Sequence, residues 1–137
     1  GRARNQVASK LDKSRQSGHT DLMILHIARR EEWEAAQATG DYRADTLTTE
    51  GFIHCSTPAQ VLGPANTMFR GQADLLLLVI DPAWLTADLV YEDCYETGQA
   101  FPHIYGPLNL NAVRRAVPFP PNGDGRFSLP RLDELSY

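Results

Sequence analysis

The sequence predicts a single α+β domain over residues 22–137. Three observations carry this reading. Strand-length apolar runs stand at residues 23–28, 74–80 and 112–119. Only two stretches have helical character, and both lie before residue 72. Strands first alternate with helices and then follow one another, which is the α+β order.

Residues 23–28 (MILHIA) form the first expected strand. Residues 30–39 form a helix with Trp33, Ala36 and Gln37 at helical spacing, and Gly40 stops it. Residues 41–51, rich in Asp and Thr, are a polar connection, and residues 52–55 a second strand. Thr57-Pro58 suits a helix start, because Thr caps well and Pro is favoured at the first helical position. That helix should reach Phe69 and stop at Gly71, with Gly63-Pro64 kinking or breaking it. The unbroken apolar run Leu75 to Ile80 implies burial on both faces, so this strand is central in its sheet. Asp81-Pro82 ends it, and residues 83–85 make a turn. Residues 89–93 are a further strand, residues 96–101 a Gly-containing loop, and residues 112–119 the last strand.

Charge divides the chain unevenly. Both lysines fall in residues 1–21, which carry a net charge of +3, leaving −7 on residues 22–137. Residues 1–21 are polar and nearly free of large apolar side chains, so they cannot offset chain entropy by burial. They read as a disordered or appended leader, with Met23 the natural start; a native flexible arm is the alternative. The folded part has eight arginines against fifteen carboxylates, with Arg29-Arg30 and Arg114-Arg115 as local pairs. Extended nucleic-acid binding wants clustered cations and is not expected. A small anionic ligand held by one or two arginines remains open. The longest apolar run is too short for a membrane span, and no secretory signal is visible. Two cysteines without a disulfide framework fit a reduced, cytoplasmic setting.

Two motifs carry the candidate chemistry: Gly51-Phe52-Ile53-His54-Cys55-Ser56 and Phe101-Pro102-His103-Ile104-Tyr105-Gly106-Pro107-Leu108. Each places a histidine in an apolar, turn-rich run. Histidine titrates near neutrality and can donate and accept hydrogen bonds at once, so His54 and His103 read as two sides of one ligand site. A third, His26, lies in the first strand; His19 lies in the leader. Ser56 and Thr57 follow at the turn into a helix, which puts His54 near backbone N–H groups that suit an anion or a ribose hydroxyl. Tyr105 shares a strand face with His103 if that segment is extended. Glu92 ends the strand that contains Tyr91. Each has a plain structural alternative: a turn-capping ring for His54, a tight turn for His103, a core residue for His26 or Tyr105, a solvent-facing edge carboxylate for Glu92. No two histidines or cysteines stand at close metal-ligand spacing, so no metal is expected. No Gly-x-Ser-x-Gly elbow is present. Cys55 cannot share the strand face of His54 and should pack in the core.

From about Met23 to about Phe119 the chain resembles a small bacterial family, domain of unknown function 952. The resemblance rests on the His26 strand, Trp33, Tyr42, GFIHCS with Gln60-Val61, the run from Asp74 to Asp81, Tyr91-Glu92, and FPHIYGPL followed by Ala112-Val113. It implies an ADP-ribosyltransferase-like fold: a split antiparallel or mixed sheet with two main helices. By fold analogy it implies a transferase acting on NAD or a related nucleotide. His54, Glu92 and His103 are then the catalytic candidates, and His26, Ser56 and Tyr105 the ligand-binding ones. His26 and His54 would hold ribose hydroxyls or phosphate, Tyr105 would stack on a base, His103 would orient a substrate, and Glu92 would support a sugar cation. Removal of a 2′-phosphate from RNA is a weaker variant, given the acidic surface. The alternative class is a non-catalytic small-molecule-binding or regulatory module, favoured if Glu92 points away from the histidines. An interaction domain would instead show an exposed apolar patch. The acceptor and the oligomeric state are not legible.

Overall fold

The run LLLLVI sets the architecture. In the computed structural model, which describes residues 23–131 and Leu135, this strand, β4 (Leu75–Ile80), is buried at every position. It sits between β1 (Ile24–Arg29) and β8 (Val113–Pro118), antiparallel to both. Side chains alternate across a strand, so the sheet has two apolar faces. Ile24, Ala28, Leu76, Leu78 and Ile80 pack toward Tyr42, Ile53, Leu89, Ile104 and Leu108. Leu25, Leu75, Leu77 and Val79 pack toward Val61, Ala65, Val117, Phe119 and Phe127. His26 has the parity of Ile24 and Ala28 and stands opposite Leu78 in the register. It therefore points into the first of these layers.

A second three-stranded antiparallel sheet has the order β3 (Ile53–His54), β6 (Phe101–Tyr105), β5 (Asp88–Glu92). A short pair joins β2 (Asp41–Tyr42) to β7 (Leu108–Asn109). The helices are α1 (Arg30–Thr39), α2 (Asp45–Thr49) and α3 (Leu62–Met68). The described residues thus form a small α+β domain with three sheets of antiparallel strands and few helices. None of these helices is long and apolar enough to cross a membrane. The leader, residues 1–21, lies outside the described residues.

Most expected elements are present. The helix after the first strand ends on Gly40, whose positive φ of 97° suits glycine and whose N–H returns to the Ala36 carbonyl. Three expectations are corrected. The polar connection after it holds β2 and α2, because Tyr42 is an apolar anchor that buries completely. The second main helix starts at Leu62, not Thr57, and residues 57–61 are hydrogen-bonded turns in which Gln60 Oε1 accepts from the Thr57 N–H. Pro64 does not break this helix: in a first turn its missing N–H is one the helix leaves unbonded anyway.

FPHIY, for which a tight turn at His103 was the alternative, is the strand β6 between two partners, with His103 at its middle. Pro102 is tolerated there because its carbonyl accepts from the Cys55 N–H at 3.0 Å while it has no N–H to return. The ladder with β3 stops at that point. The chain then crosses to the other sheet, where Leu25 and Ser56 exchange both backbone hydrogen bonds at 2.7 and 2.8 Å. This bridge stitches the two sheets together and brings His26 beside His54.

Candidate functional site

A cleft of about 660 Å³ opens along the seam of the two sheets, within the range of small-molecule sites. His26, His54, Ser56, Glu92 and His103 all line it.

His26 is 7% exposed, and both of its ring nitrogens are engaged. Nδ1–H donates to the His54 carbonyl at 2.5 Å, which leaves Nε2 as the lone-pair nitrogen to accept from the Tyr42 hydroxyl at 2.9 Å. Burial lowers its pKa to about 4, and the neighbouring His54 adds to the lowering against the raising effect of the backbone hydrogen bond. The ring is therefore neutral at pH 7 and fixed in one tautomer. Burial pushes the Tyr42 hydroxyl upward, so it stays a donor. Expected as a ligand-binding group, His26 instead fixes the backbone of His54. Removing the Tyr42 hydroxyl would leave a buried nitrogen unsatisfied. Tyr42→Phe should cost about 1–3 kcal/mol, read as a lowered urea midpoint with unchanged slope.

His54 is half-buried, and its ring faces the cleft. Nε2 lies 3.2 Å from Glu50 Oε1 and 3.3 Å from the Tyr95 hydroxyl, and that hydroxyl donates to Glu50 Oε1. The Tyr95 hydrogen bond holds the Glu50 carboxyl below its usual range, and the same bond raises Tyr95 to about 12. Tyr95 belongs to the loop after β5 and Glu50 to the turn before β3, so this triad straps one rim of the cleft to the other.

His103 is 1% exposed, its ring stacked on Phe52 at 4.1 Å and 12°. Its Nδ1–H donates to Glu92 Oε2 at 2.8 Å, and the Tyr105 hydroxyl donates to the same oxygen. Burial lowers the His103 pKa, opposed by the Glu92 hydrogen bond and charge. The His54 and His103 rings meet edge to face at 5.2 Å. Cys94 Sγ lies 3.9 Å from His103 Nδ1. Desolvation first, then the Glu92 charge, raise the Cys94 thiol, so it is not an activated thiolate. Cys55 is buried in the core, as expected.

The two histidines of the motifs and Glu92 thus face one cleft. Tyr105 is placed differently from its expected base-stacking role. It is not on the cleft wall; its ring leans on Phe52 at 5.3 Å and its hydroxyl steadies Glu92. Ser56 contributes mainly its backbone, through the bridge to Leu25. Glu50, Tyr95 and Phe52 join the site beyond the residues expected from the sequence. Phe52 was visible as the aromatic within GFIHCS. Glu50 and Tyr95 are 45 residues apart, and neither carries a local signal.

Fold and site together define a small α+β protein with a histidine- and carboxylate-lined cleft between two antiparallel sheets. The chain belongs to the protein family of unknown function DUF952, whose model matches residues 27–116. It is similar to protein CC0527 from Caulobacter crescentus. The X-ray crystal structure of that protein is 36% identical, covers 82% of this chain and 97% of its own, and superposes with a TM-score of 0.73. Its solution NMR structure is 37% identical over 77% of this chain and 90% of its own, with a TM-score of 0.67. No curated protein matches the chain.

Proposed function

We propose that this protein is a nucleotide-binding enzyme of the ADP-ribosyltransferase-like type, transferring a glycosyl group from NAD or a related nucleotide. One observation supports this above others: Glu92 points into the cleft of the three histidines, held there by His103 and Tyr105. Breaking the bond between the ribose anomeric carbon and nicotinamide sends the electron pair out with nicotinamide and leaves a cation-like sugar. An acceptor oxygen then forms the new bond to the anomeric carbon and gives up its proton to solvent. A carboxylate fixed by two donors before the substrate arrives stabilises that cation without reorganising. His54, whose ring faces the cleft, is the group to bind a ribose hydroxyl, with His26 setting its position. Arg29 lies on the cleft wall and meets a diphosphate by exchanging its exposed contacts with Glu32 and Asp45.

The test is binding. A ligand held only by the native state at a hundredfold its dissociation constant raises stability by about 2.7 kcal/mol. Millimolar NAD, ADP-ribose and a 2′-phosphorylated analogue should be compared by calorimetry and thermal shift. Binding of NAD or ADP-ribose is expected, and His54→Ala should weaken it about tenfold or more while the melting temperature without ligand moves little. If none of the three binds, the nucleotide reading fails. If NAD binds without nicotinamide release, the protein is a binding module.

A further inference from the structure

We propose that Glu92, Cys94 and His103 form a binding site for a divalent cation of the zinc class, at the edge of the cleft. The donor atoms come from the hairpin of β5 and β6: Glu92 ends β5, Cys94 lies two residues on, and His103 stands in the facing strand. One donor atom from each lies within 4.8 Å of the other two. His103 Nδ1 is central, 2.8 Å from Glu92 Oε2 and 3.9 Å from Cys94 Sγ. A tetrahedral zinc ion with bonds of about 2.0–2.3 Å holds its ligand atoms roughly 3.3–3.6 Å apart. The observed spacings bracket that range, so small side-chain rotations bring all three donors onto one ion.

The donor set selects the cation. A thiolate and an imidazole suit zinc, cobalt and cadmium, whereas magnesium and calcium want oxygen alone. The surroundings are also those of a built site. The His103 ring is locked by its stack on Phe52, and Tyr105 donates to the Glu92 carboxylate, as outer partners do for metal-ligating carboxylates. Cys94 is exposed and gives the ion a way in. Three protein donors leave a fourth position open toward the cleft. On binding, the Cys94 thiol loses its proton to solvent, and the His103 proton moves to Nε2, so one proton is released per ion. This site was not expected from the sequence, because its donors converge across a hairpin instead of sitting at a recognisable spacing. It shares Glu92 and His103 with the proposed nucleotide chemistry, and an ion there would block that chemistry. Cation binding itself does not depend on the nucleotide reading.

The experiment is a titration of the reduced full chain with Co²⁺, without nucleotide, read by absorption. We expect a saturable thiolate-to-cobalt charge-transfer band at one equivalent, bleached by Zn²⁺. Cys94→Ser should abolish the band while leaving the circular dichroism unchanged. Glu92→Gln should weaken cobalt binding by at least the roughly tenfold that loss of an outer partner alone brings. No binding, binding without a thiolate band, or a band that survives Cys94→Ser overturns the proposal. Because Cys94 and Glu92 are not core residues, the test does not hang on His103, whose replacement could unfold the chain.

Discussion

Glu92→Gln should bind NAD as the wild type does and release nicotinamide on the order of 10²–10³ times more slowly, the usual cost of removing one preorganised electrostatic stabiliser. The substitution keeps the size of the side chain and an oxygen to accept from His103 and Tyr105. What it removes is the charge, which matters little to the bound ground state and most when the sugar becomes cationic. A fall in kcat with unchanged ligand affinity is the signature of an interaction made in the transition state. Equal turnover in both proteins would make Glu92 an outer support for His103. Loss of binding together with turnover would mean that the carboxylate holds the ligand and does not act on it.

The second large effect concerns pH and stability. His26 is neutral in the fold with its pKa near 4, and in the unfolded chain it returns to its ordinary 6.5. Between those values the unfolded state binds a proton that the folded state does not, so stability rises with pH through this window and falls as pH drops. The full shift corresponds to about 3 kcal/mol lost between pH 7 and pH 4. For a domain of this size that lowers the melting temperature by on the order of 10 °C or more. His103, also lowered by burial, adds in the same direction. The comparison that isolates His26 is His26→Asn, whose amide can still donate toward the His54 carbonyl but cannot titrate. Its stability at pH 7 should be lower than that of the wild type, and its decline toward pH 4 shallower by about 3 kcal/mol. Parallel pH profiles in urea denaturation would show that His26 is not held neutral.

These predictions rest on parts of the molecule that were unequally legible in the sequence. The apolar run of β4 announced a strand buried on both faces and central in its sheet, whereas the identity of its neighbours, β1 and β8, is set by the tertiary fold. Gly40 marked the end of α1 because its left-handed backbone favours glycine. FPHIYGPL was legible as a rigid segment, with an extended course and a tight turn both open because its prolines suit turns as well. What makes it a strand is tertiary: β5 on one side, and on the other a β3 only two residues long. The histidines of the two motifs were found because each stands out in an apolar run, and their meeting follows from a direct pairing of His54 with His103. The rest was hidden for a physical reason. Glu50 with Tyr95, and Tyr42 with His26, are joined by side chains from distant segments, and single-sequence periodicity carries no trace of such pairs. The role of His26 changed for the same cause: only the bridge of Leu25 to Ser56 reveals that its nitrogens are already occupied.

In the proposed function one cleft, with His54, His103 and Glu92 on its walls, receives a nucleotide. The most direct measurement is an NMR titration of the isotopically labelled protein with ADP-ribose, following the imidazole ring signals together with the backbone amides. Saturable shifts of the His54 and His103 rings with one common dissociation constant are expected. Shifts in the loop that carries Tyr95 should accompany them, and residues on the far face of β4, such as Leu77, should stay still. Rings that do not move at millimolar ligand, or shifts confined to surface residues away from the seam of the two sheets, would contradict it.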